Sequence, residues 1–364
     1  MASAADPQAR GVAVDANGAD LGPAEVAAGA RLAAARGVRV LLFGPAAELG
    51  PSGGGVEVFD APVSIAKQPD PVRAVRSTPD ASIVHAARAV AAGEAGALVC
   101  GGSTGAALAA GLFHIKRAPG IHRPALAVQV PVPGHPVTLL DVGANAEARV
   151  EHLVQFAYMG AAFAIGVLGL ARPRVGLLSN GAEAGRGSQL LIDAHALLSE
   201  RAGDGGDGGD GGMLEFVGNV EGDGLVGGAA DVVVTDGLTG NIALKLIEGV
   251  SQAVLGAVRD AARSSRRATA GGLLLRPALR GFRAEIDPER QGGAYLLGLR
   301  RLGVVAHGRF GREGIAEAIV RAARGVEEDV VGRTQAALEA AGALRRSPAA
   351  GASGDGGTVR GHDD

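Results

Sequence analysis

The chain contains no tryptophan and a single cysteine, and aromatic residues make up only 3% of its 364 positions. One thiol, Cys100, excludes an internal disulfide framework. With so few rings available, the interior must be filled by Ala, Val and Leu, which suits closely approaching backbones and a helix-covered parallel sheet. The 60 glycines permit that approach. Lysine is also scarce, occurring only at 67, 116 and 245, and every other side-chain cation apart from histidine is Arg. A retained Lys suits a place that needs a compact ammonium, which singles out Lys245, with codon bias or chance as the alternative. No stretch matches G-x-x-x-x-G-K-[ST] or G-x-G-x-x-G, so nucleotide binding has no motif behind it. A formal charge of −3 and a pI near 6.3 exclude the electrostatic footprint of a nucleic-acid-binding protein. The opening residues, MASAADPQARG, carry no apolar signal region, and the chain reads as cytoplasmic.

Apolar runs at 12–14, 38–43, 97–99, 125–130, 138–140, 175–178, 216–217 and 232–234 read as strands. They alternate with helical stretches expected at 23–36, 80–92, 105–116, 151–170, 187–200 and 241–263. This βα alternation predicts an α/β fold with a largely parallel sheet and helices on both faces, and the length allows two lobes whose boundary the pattern does not mark. The apolar run from 156 to 171 is too short and too rich in Ala and Gly for a spanning helix, and reads as a buried packing helix. Residues 1–10 and 340–364 read as disordered tails on a catalytic unit at 11–335. GDGGDGGDGG at 203–212 reads as a flexible solvated loop rather than a cation site. Between 259 and 283 the texture changes, with Arg259, Arg263, Arg266, Arg267, Arg276, Arg280 and Arg283 surrounding Leu273, Leu274, Leu275 and Leu279. Such a protruding segment suits an anionic membrane surface or an acidic partner protein, and equally a helix pair at a dimer interface.

The chemistry sits at the ends of strands. In DVVVTDGLTGNIALK the strand runs through Asp236 and Gly237 into Thr239, Gly240 and Asn241 and then into a helix carrying Lys245. In ALVCGGSTGAALAA the residues Gly102, Ser103, Thr104 and Gly105 repeat the arrangement. A Gly turn between strand and helix lets backbone N–H groups converge on an anion, and the helix start adds about half a positive charge. Two such turns predict a cleft that grips phosphate. Asp15, Asn17, Gly18 and Asp20 follow the first strand; Asp141, Gly143, Asn145, Glu151 and His152 follow another; Asn180, Glu183, Arg186 and Ser188 precede a helix; Asn219 and Glu221 close another strand. Polar groups outside the carboxyl ends of parallel strands lie where such folds bind ligands. Any one of these segments is also ordinary turn chemistry.

Their order is more specific than any one of them. VDANGAD at 14–20, GGSTGA at 101–106, GIHRPAL at 120–126, LLDVGAN at 139–145, EHLVQFAYMG at 151–160, PRVGLL at 173–178, FVGNVEG at 216–222, ADVVVTDGLTGN at 230–241, and GGAYLLG with AHG at 292–298 and 306–308 follow one another along the chain. In these blocks it closely resembles the phosphate acyltransferase family of bacterial phospholipid synthesis, over roughly residues 12–324. The chain departs from the family pattern at Asn17, where the family has Met, and at Ala19, where it has Gly. It departs again at Ser103 in place of Asn and at Arg186 in place of Lys. Each substitute keeps small size, polarity or charge, and Arg186 differs most, as a planar fork rather than a point charge.

The resemblance implies a fold like that of isopropylmalate dehydrogenases and phosphotransacetylases, a helix–sheet–helix sandwich assembled as a homodimer. It implies transfer of a fatty acyl group from acyl carrier protein to inorganic phosphate, with no cofactor and no metal. The acyl phosphate would feed a glycerol-3-phosphate acyltransferase at the inner face of the cell membrane. On that reading the backbone at Thr239 to Asn241, with Thr104 across the cleft, cradles phosphate, and Lys245 or Arg186 supplies positive charge. Asn241 donates either to phosphate or to the thioester oxygen. Asp15, Asn17, Gly18, Gly102, Ser103, Gly105, Asn145, Asn219, Asp236, Gly237 and Gly240 complete the expected binding set. His307 and His152 are the candidate proton donors, each with a structural alternative. Cys100 reads as a plain buried thiol rather than a nucleophile. The arginines at 259, 263, 267, 276 and 280 are the expected contact for acyl carrier protein or membrane. A decarboxylating dehydrogenase of the same fold would need clustered aspartates, but Asp15, Asp141 and Asp236 are scattered along the chain. A catalytically silent scaffold would have no use for so many polar turns.

Overall fold

Runs of consecutive buried residues with no polar alternation, such as Val12–Asp15, Val40–Gly44 and Ala97–Gly101, can only be strands covered on both faces. The computed structural model describes residues 11–132, 134–202, 212–285 and 288–345, without the side chains at 283–285 and 288. The segments 1–10, 203–211 and 346–364, and with them most of the expected tails and loop, lie outside the described residues, as does the Arg283 side chain.

The described strands are β1 Val12–Asp15, β2 Val40–Gly44, β3 Val56–Asp60, β4 Ala97–Gly101, β5 Ala125–Val130, β6 Val137–Leu140, β7 Arg174–Leu178, β8 Glu215–Val220, β9 Val232–Val234, β10 Ala294–Leu297 and β11 Leu302–Ala306. The helices are α1 Pro23–Ala35, α2 Ala46–Leu49, α3 Pro71–Ser77, α4 Ser82–Ala92, α5 Thr104–Ala110, α6 Val150–Leu168, α7 Gln189–Arg201, α8 Gly222–Gly227, α9 Gly237–Arg263, α10 Arg266–Glu285, α11 Arg312–Glu327 and α12 Val330–Ala340. All the strands join one sheet in the order β3-β2-β1-β4-β11-β10-β5-β6-β9-β7-β8.

The sheet is mostly parallel, as expected, but it changes direction. Strands β3, β2, β1, β4 and β11 run one way. Three antiparallel pairings, β11 with β10, β10 with β5 and β5 with β6, then reverse the course. Strands β6, β9, β7 and β8 therefore form a second parallel block pointing opposite to the first. Carboxyl ends of the two blocks open at opposite ends of the sheet.

Alternate side chains feed two cores. Val12 and Val14 join α1, α6, α11 and α12 through Ala30, Leu153, Phe163, Ile315 and Leu338. Ala13 joins the opposite face, packed by α3, α4 and α5 through Val75, Ile83 and Ala107. By length and composition α6 and α9 are both apolar enough to cross a membrane. The α6 helix is the expected packing helix, buried from His152 to Ala164. In contrast α9 buries only Gly237 and Gly240 and runs outward with α10 as a hairpin.

Several boundaries differ from expectation. Strand β3 was unforeseen because VEVFD is half-exposed, and β10 and β11 because short apolar runs between glycines look like loop. Helix α9 starts at Gly237 rather than at 241, and the helix after β4 ends in a π turn at Gly111–Ile115. Order also continues past 340. Buried Gln155 donates from Nε2 to the carbonyls of Gly120 (2.9 Å) and Ala343 (2.8 Å) and accepts from the His122 N–H (2.8 Å). Replacing Gln155 with Met keeps its volume but takes this partner from the His122 N–H and the Ala343 carbonyl, while the Gly120 carbonyl keeps the Arg345 N–H, and a urea melt should show a loss of about 2 kcal/mol. A change below about 0.5 kcal/mol would contradict this anchoring role.

Candidate active site

At the carboxyl end of the second block, buried Asp141 follows β6 directly. Its Oδ1 accepts from the N–H groups of Leu126 (2.9 Å) and Ala144 (3.0 Å), and its Oδ2 from the backbone N–H (2.7 Å) and side-chain amide (2.8 Å) of Asn145. Burial pushes the carboxyl above its ordinary pKa, and the donated hydrogen bonds pull it back. Asn145 also donates to the Pro124 carbonyl (2.8 Å), and its own carbonyl accepts from the Gly237 N–H (2.7 Å). Asp141 and Asn145 thus frame the loop instead of offering free groups to a ligand.

Against that loop lies the first turn of α9. A Cβ on Gly240 would sit 1.9 Å from the Asp141 carbonyl, and one on Gly237 would sit 2.4 Å from the Asn145 carbonyl, so only glycine fits. Asp236 caps the helix, accepting from the Thr239 N–H (2.9 Å) and hydroxyl (2.7 Å). The Thr239 hydroxyl is therefore a capping partner, and the expected Thr-Gly-Asn turn is helical. Asn241 is exposed, and its amide nitrogen lies 3.2 Å from where a Gly143 Cβ would be. Its side chain makes no hydrogen bond among the described residues.

Neighbouring strand ends supply the rest. The loop after β7 holds Arg186, exposed and 3.3 Å from Glu183, and turns back through the Arg186 N–H to Glu183 carbonyl bond. The Glu183 carboxyl is held below its usual range first by its own backbone N–H and then by Arg186. Asn219, at the end of β8, donates to the Glu183 carbonyl (2.7 Å), while its buried Oδ1 has no partner among the described residues. Lys245, one turn beyond Asn241, is ion-paired with Glu248 at 2.7 Å. Because α9 starts at Gly237, Lys245 stands more than two turns into the helix, not in its first turn as expected.

The remaining expected residues gather at the opposite end. Asp15, Asn17, Gly18, Gly102, Ser103, Thr104, Gly105 and His307 follow β1, β4 and β11, all in the first block. Between β4 and β9 stand β11, β10, β5 and β6, so the two turns are separated laterally by about 24 Å at a strand spacing of about 4.8 Å. Thr104 and His307 therefore do not face Asn241 within one chain. The sequence hides this because strand direction depends on distant pairing partners.

This second group is also largely bonded to itself. Asn17 donates to the Ala61 carbonyl (3.1 Å) and the Ser82 hydroxyl (3.0 Å), and Ser82 donates to Asp15 (2.5 Å). Ser103 donates to the Ala66 carbonyl (3.2 Å). Backbone packs on backbone where a Gly18 Cβ would meet the Gly101 carbonyl at 1.8 Å. His307 is exposed, accepts from the Arg309 N–H (3.2 Å) and stacks on Phe310. His152 at the other end is a helix-capping residue, accepting from the Arg149 N–H (3.2 Å), and burial first, then His122 and Arg123, lowers its pKa. Burial, reinforced by the Asp15 charge, raises the Cys100 thiol, so a thiolate nucleophile is disfavoured.

Burial also pushes Asp15 up from 3.8 to about 6, so the folded state binds that proton more tightly than the unfolded chain. The associated stability is full below the unfolded value and is lost as pH rises through about 6. Asp15→Asn should therefore gain on the parent protein by up to about 3 kcal/mol between pH 4 and pH 7 in denaturant melts. A pH-independent difference would contradict the buried-charge assignment.

Comparison with known proteins agrees with the family expected from the motifs. Residues 11–333 match the family model described as "Fatty acid synthesis protein". The chain is 40% identical over 334 residues to the phosphate acyltransferase of Geobacillus thermodenitrificans, covering 90% of this chain and 98% of that protein. It is 42% identical over 318 residues to that of Thermobifida fusca, covering 85% and 86%. Among solved structures, a phosphotransacetylase from Streptococcus pyogenes shares the fold at a TM-score of 0.58 and 16% identity, over 87% of this chain and 94% of that one. The Staphylococcus aureus EutD phosphotransacetylase gives 0.56 and 18%, with the same coverage. On these matches the chain belongs to the phosphate acyltransferase family and is an acyltransferase that uses phosphate as acceptor.

Proposed function

We propose that the acyl donor is the thioester of acyl carrier protein, and that the product is a fatty acyl phosphate for phospholipid synthesis. The observation that carries the assignment to this site is Asn241, whose amide is exposed and unpartnered amid polar groups that are mostly bonded to one another. A phosphate oxygen attacks the thioester carbon, the new C–O bond forms, and the C–S bond breaks with its electron pair leaving on sulfur. A thiol of pKa about 8.5 is a tolerable leaving group, so the protein's main work is positioning and charge stabilisation. The first turn of α9 contributes positive potential, Asn241 donates to the developing oxyanion, and Arg186 swings from Glu183 to hold phosphate. Lys245 is assigned a supporting role, because it is already paired with Glu248.

Asn241→Ala should lower turnover about 100-fold or more, with an unchanged melting curve. The assay is phosphate-dependent release of free carrier thiol. Near-normal activity would reject the assignment.

The same reading includes a homodimer, cytoplasmic and in peripheral contact with the inner face of the cell membrane. Support comes from α9, where Leu238, Ile242, Leu246, Val250, Val254 and Val258 are all exposed. Four-residue spacing makes them one ridge, the kind that packs into the grooves of a second helix. Leu273, Leu274 and Leu275 on α10, beside Arg267, Arg276 and Arg280, suit the membrane surface. Leu246→Asp with Val250→Asp should halve the mass seen by sedimentation equilibrium. An unchanged mass would exclude this face as the dimer contact.

A further inference from the structure

Six exposed cations crowd the end of the sheet that carries Asn241: Lys116, Arg117, Arg123, Arg149, Arg300 and Arg345. Their segments are tied together. The Arg300 N–H donates to the Lys116 carbonyl (3.0 Å), and its Nε donates to the Arg117 carbonyl (3.4 Å). Arg117 in turn donates to the His122 carbonyl, and the Arg345 N–H donates to the Gly120 carbonyl (2.8 Å). Among the described residues none of the six cations is ion-paired, whereas Arg36, Arg174, Arg312 and Arg321 each hold a carboxylate. The half-buried ring of His122 feels the result. Burial lowers its pKa most, and Arg345, Arg117 and Arg149 lower it further against the single opposing carboxylate of Glu151.

The patch is joined to the candidate reaction centre by short links. A Gly298 Cβ would lie 3.2 Å from the Pro124 Cα, the Pro124 carbonyl accepts from Asn145, and the Asn145 carbonyl accepts from Gly237 at the start of α9. Arg259, in contrast, is 22 residues along α9 from Gly237, about 33 Å at 1.5 Å per residue. A carrier docked on the hairpin of the same chain would have to bring its thioester across that distance.

We propose that this cationic patch, rather than the arginines of the α9–α10 hairpin, is the docking surface for the acidic acyl carrier protein. This rests on the acyl-transfer reading above. Unpaired surface cations steer an acidic partner and set the orientation in which it lands, and their effect is screened by salt. Repulsion among them is relieved when the partner's carboxylates arrive.

The test is the triple variant Arg117→Glu, Arg123→Glu and Arg300→Glu, assayed with acyl carrier protein thioester and with acyl-pantetheine as a small thioester. Surface plasmon resonance against immobilised carrier protein measures affinity directly. The variant should lose at least tenfold in kcat/KM with the carrier substrate, mainly through KM, and at least tenfold in affinity. It should stay within about twofold of the parent with acyl-pantetheine, and its carrier-dependent rate should lose most of its salt dependence. Unchanged carrier affinity overturns the proposal, as does equal loss with both thioesters, or a comparable loss confined to Arg259→Glu and Arg263→Glu. If the parent enzyme releases no thiol from either thioester in a phosphate-dependent way, the acyl-transfer reading itself has failed.

Discussion

The candidate site depends on one buried carboxylate. Asp141 ties the start of β5, through Leu126, to the loop that follows β6, through Ala144 and Asn145. Its backbone carbonyl forms the floor under Gly240. Helix α9 can begin where it does only because that loop is held down and because glycine occupies the two points of contact. Asn241 then follows from geometry: it is the next residue after the contact, and it overhangs Gly143 with its amide free. An unfilled hydrogen-bond donor in that position is the kind of group an oxyanion or phosphate oxygen can use without reorganisation of its surroundings.

The reversal of the sheet imposes the second constraint. Three antiparallel pairings across β10, β5 and β6 separate two blocks whose polar strand ends face opposite ways. Two similar Gly-rich turns therefore have different surroundings. The one after β4 packs its backbone against Gly18 and Gly308, and Ser103 is spent on the Ala66 carbonyl. The one after β9 adjoins β7, whose following loop carries Arg186, and lies at the end of the sheet that bears the exposed basic surface. Chemistry at one end does not require the other end to be idle, but the two cannot grip one phosphate within a single chain.

Much of this was legible in the sequence, and what was not has physical causes. Most of the fully buried strands announced themselves as short apolar runs, β10 and β11 excepted, and the polar residues at their ends are those the structure gathers at the two ends of the sheet. The α6 helix was readable as a core element because its continuous apolar run, 156 to 171, is shorter than a spanning segment needs and is rich in Ala and Gly. Direction was not readable, since whether β5 runs with or against β6 is decided by pairing between segments whose local patterns look alike. The start of α9 was misplaced for a related reason. Asp236 with Thr239 is an N-cap signal, but Gly240 within a helix reads as a turn until the Asp141 carbonyl beneath it is known. The basic surface is not evident in the sequence because Lys116, Arg123, Arg149, Arg300 and Arg345 lie in separate segments, which tertiary contacts such as the Arg300 to Lys116 and Arg345 to Gly120 backbone bonds bring together. The arginines from Arg259 to Arg280 stand out in the sequence instead because they fall within one short stretch.

The central claim is that phosphate is bound at the start of α9. Soaking crystals with tungstate, a heavy tetrahedral anion, and locating it by anomalous scattering tests this most directly. The account predicts a peak within hydrogen-bond distance of the Asn241 amide with the Arg186 guanidinium turned toward it. A peak confined to the Gly101–Thr104 turn at the other end of the sheet would contradict it.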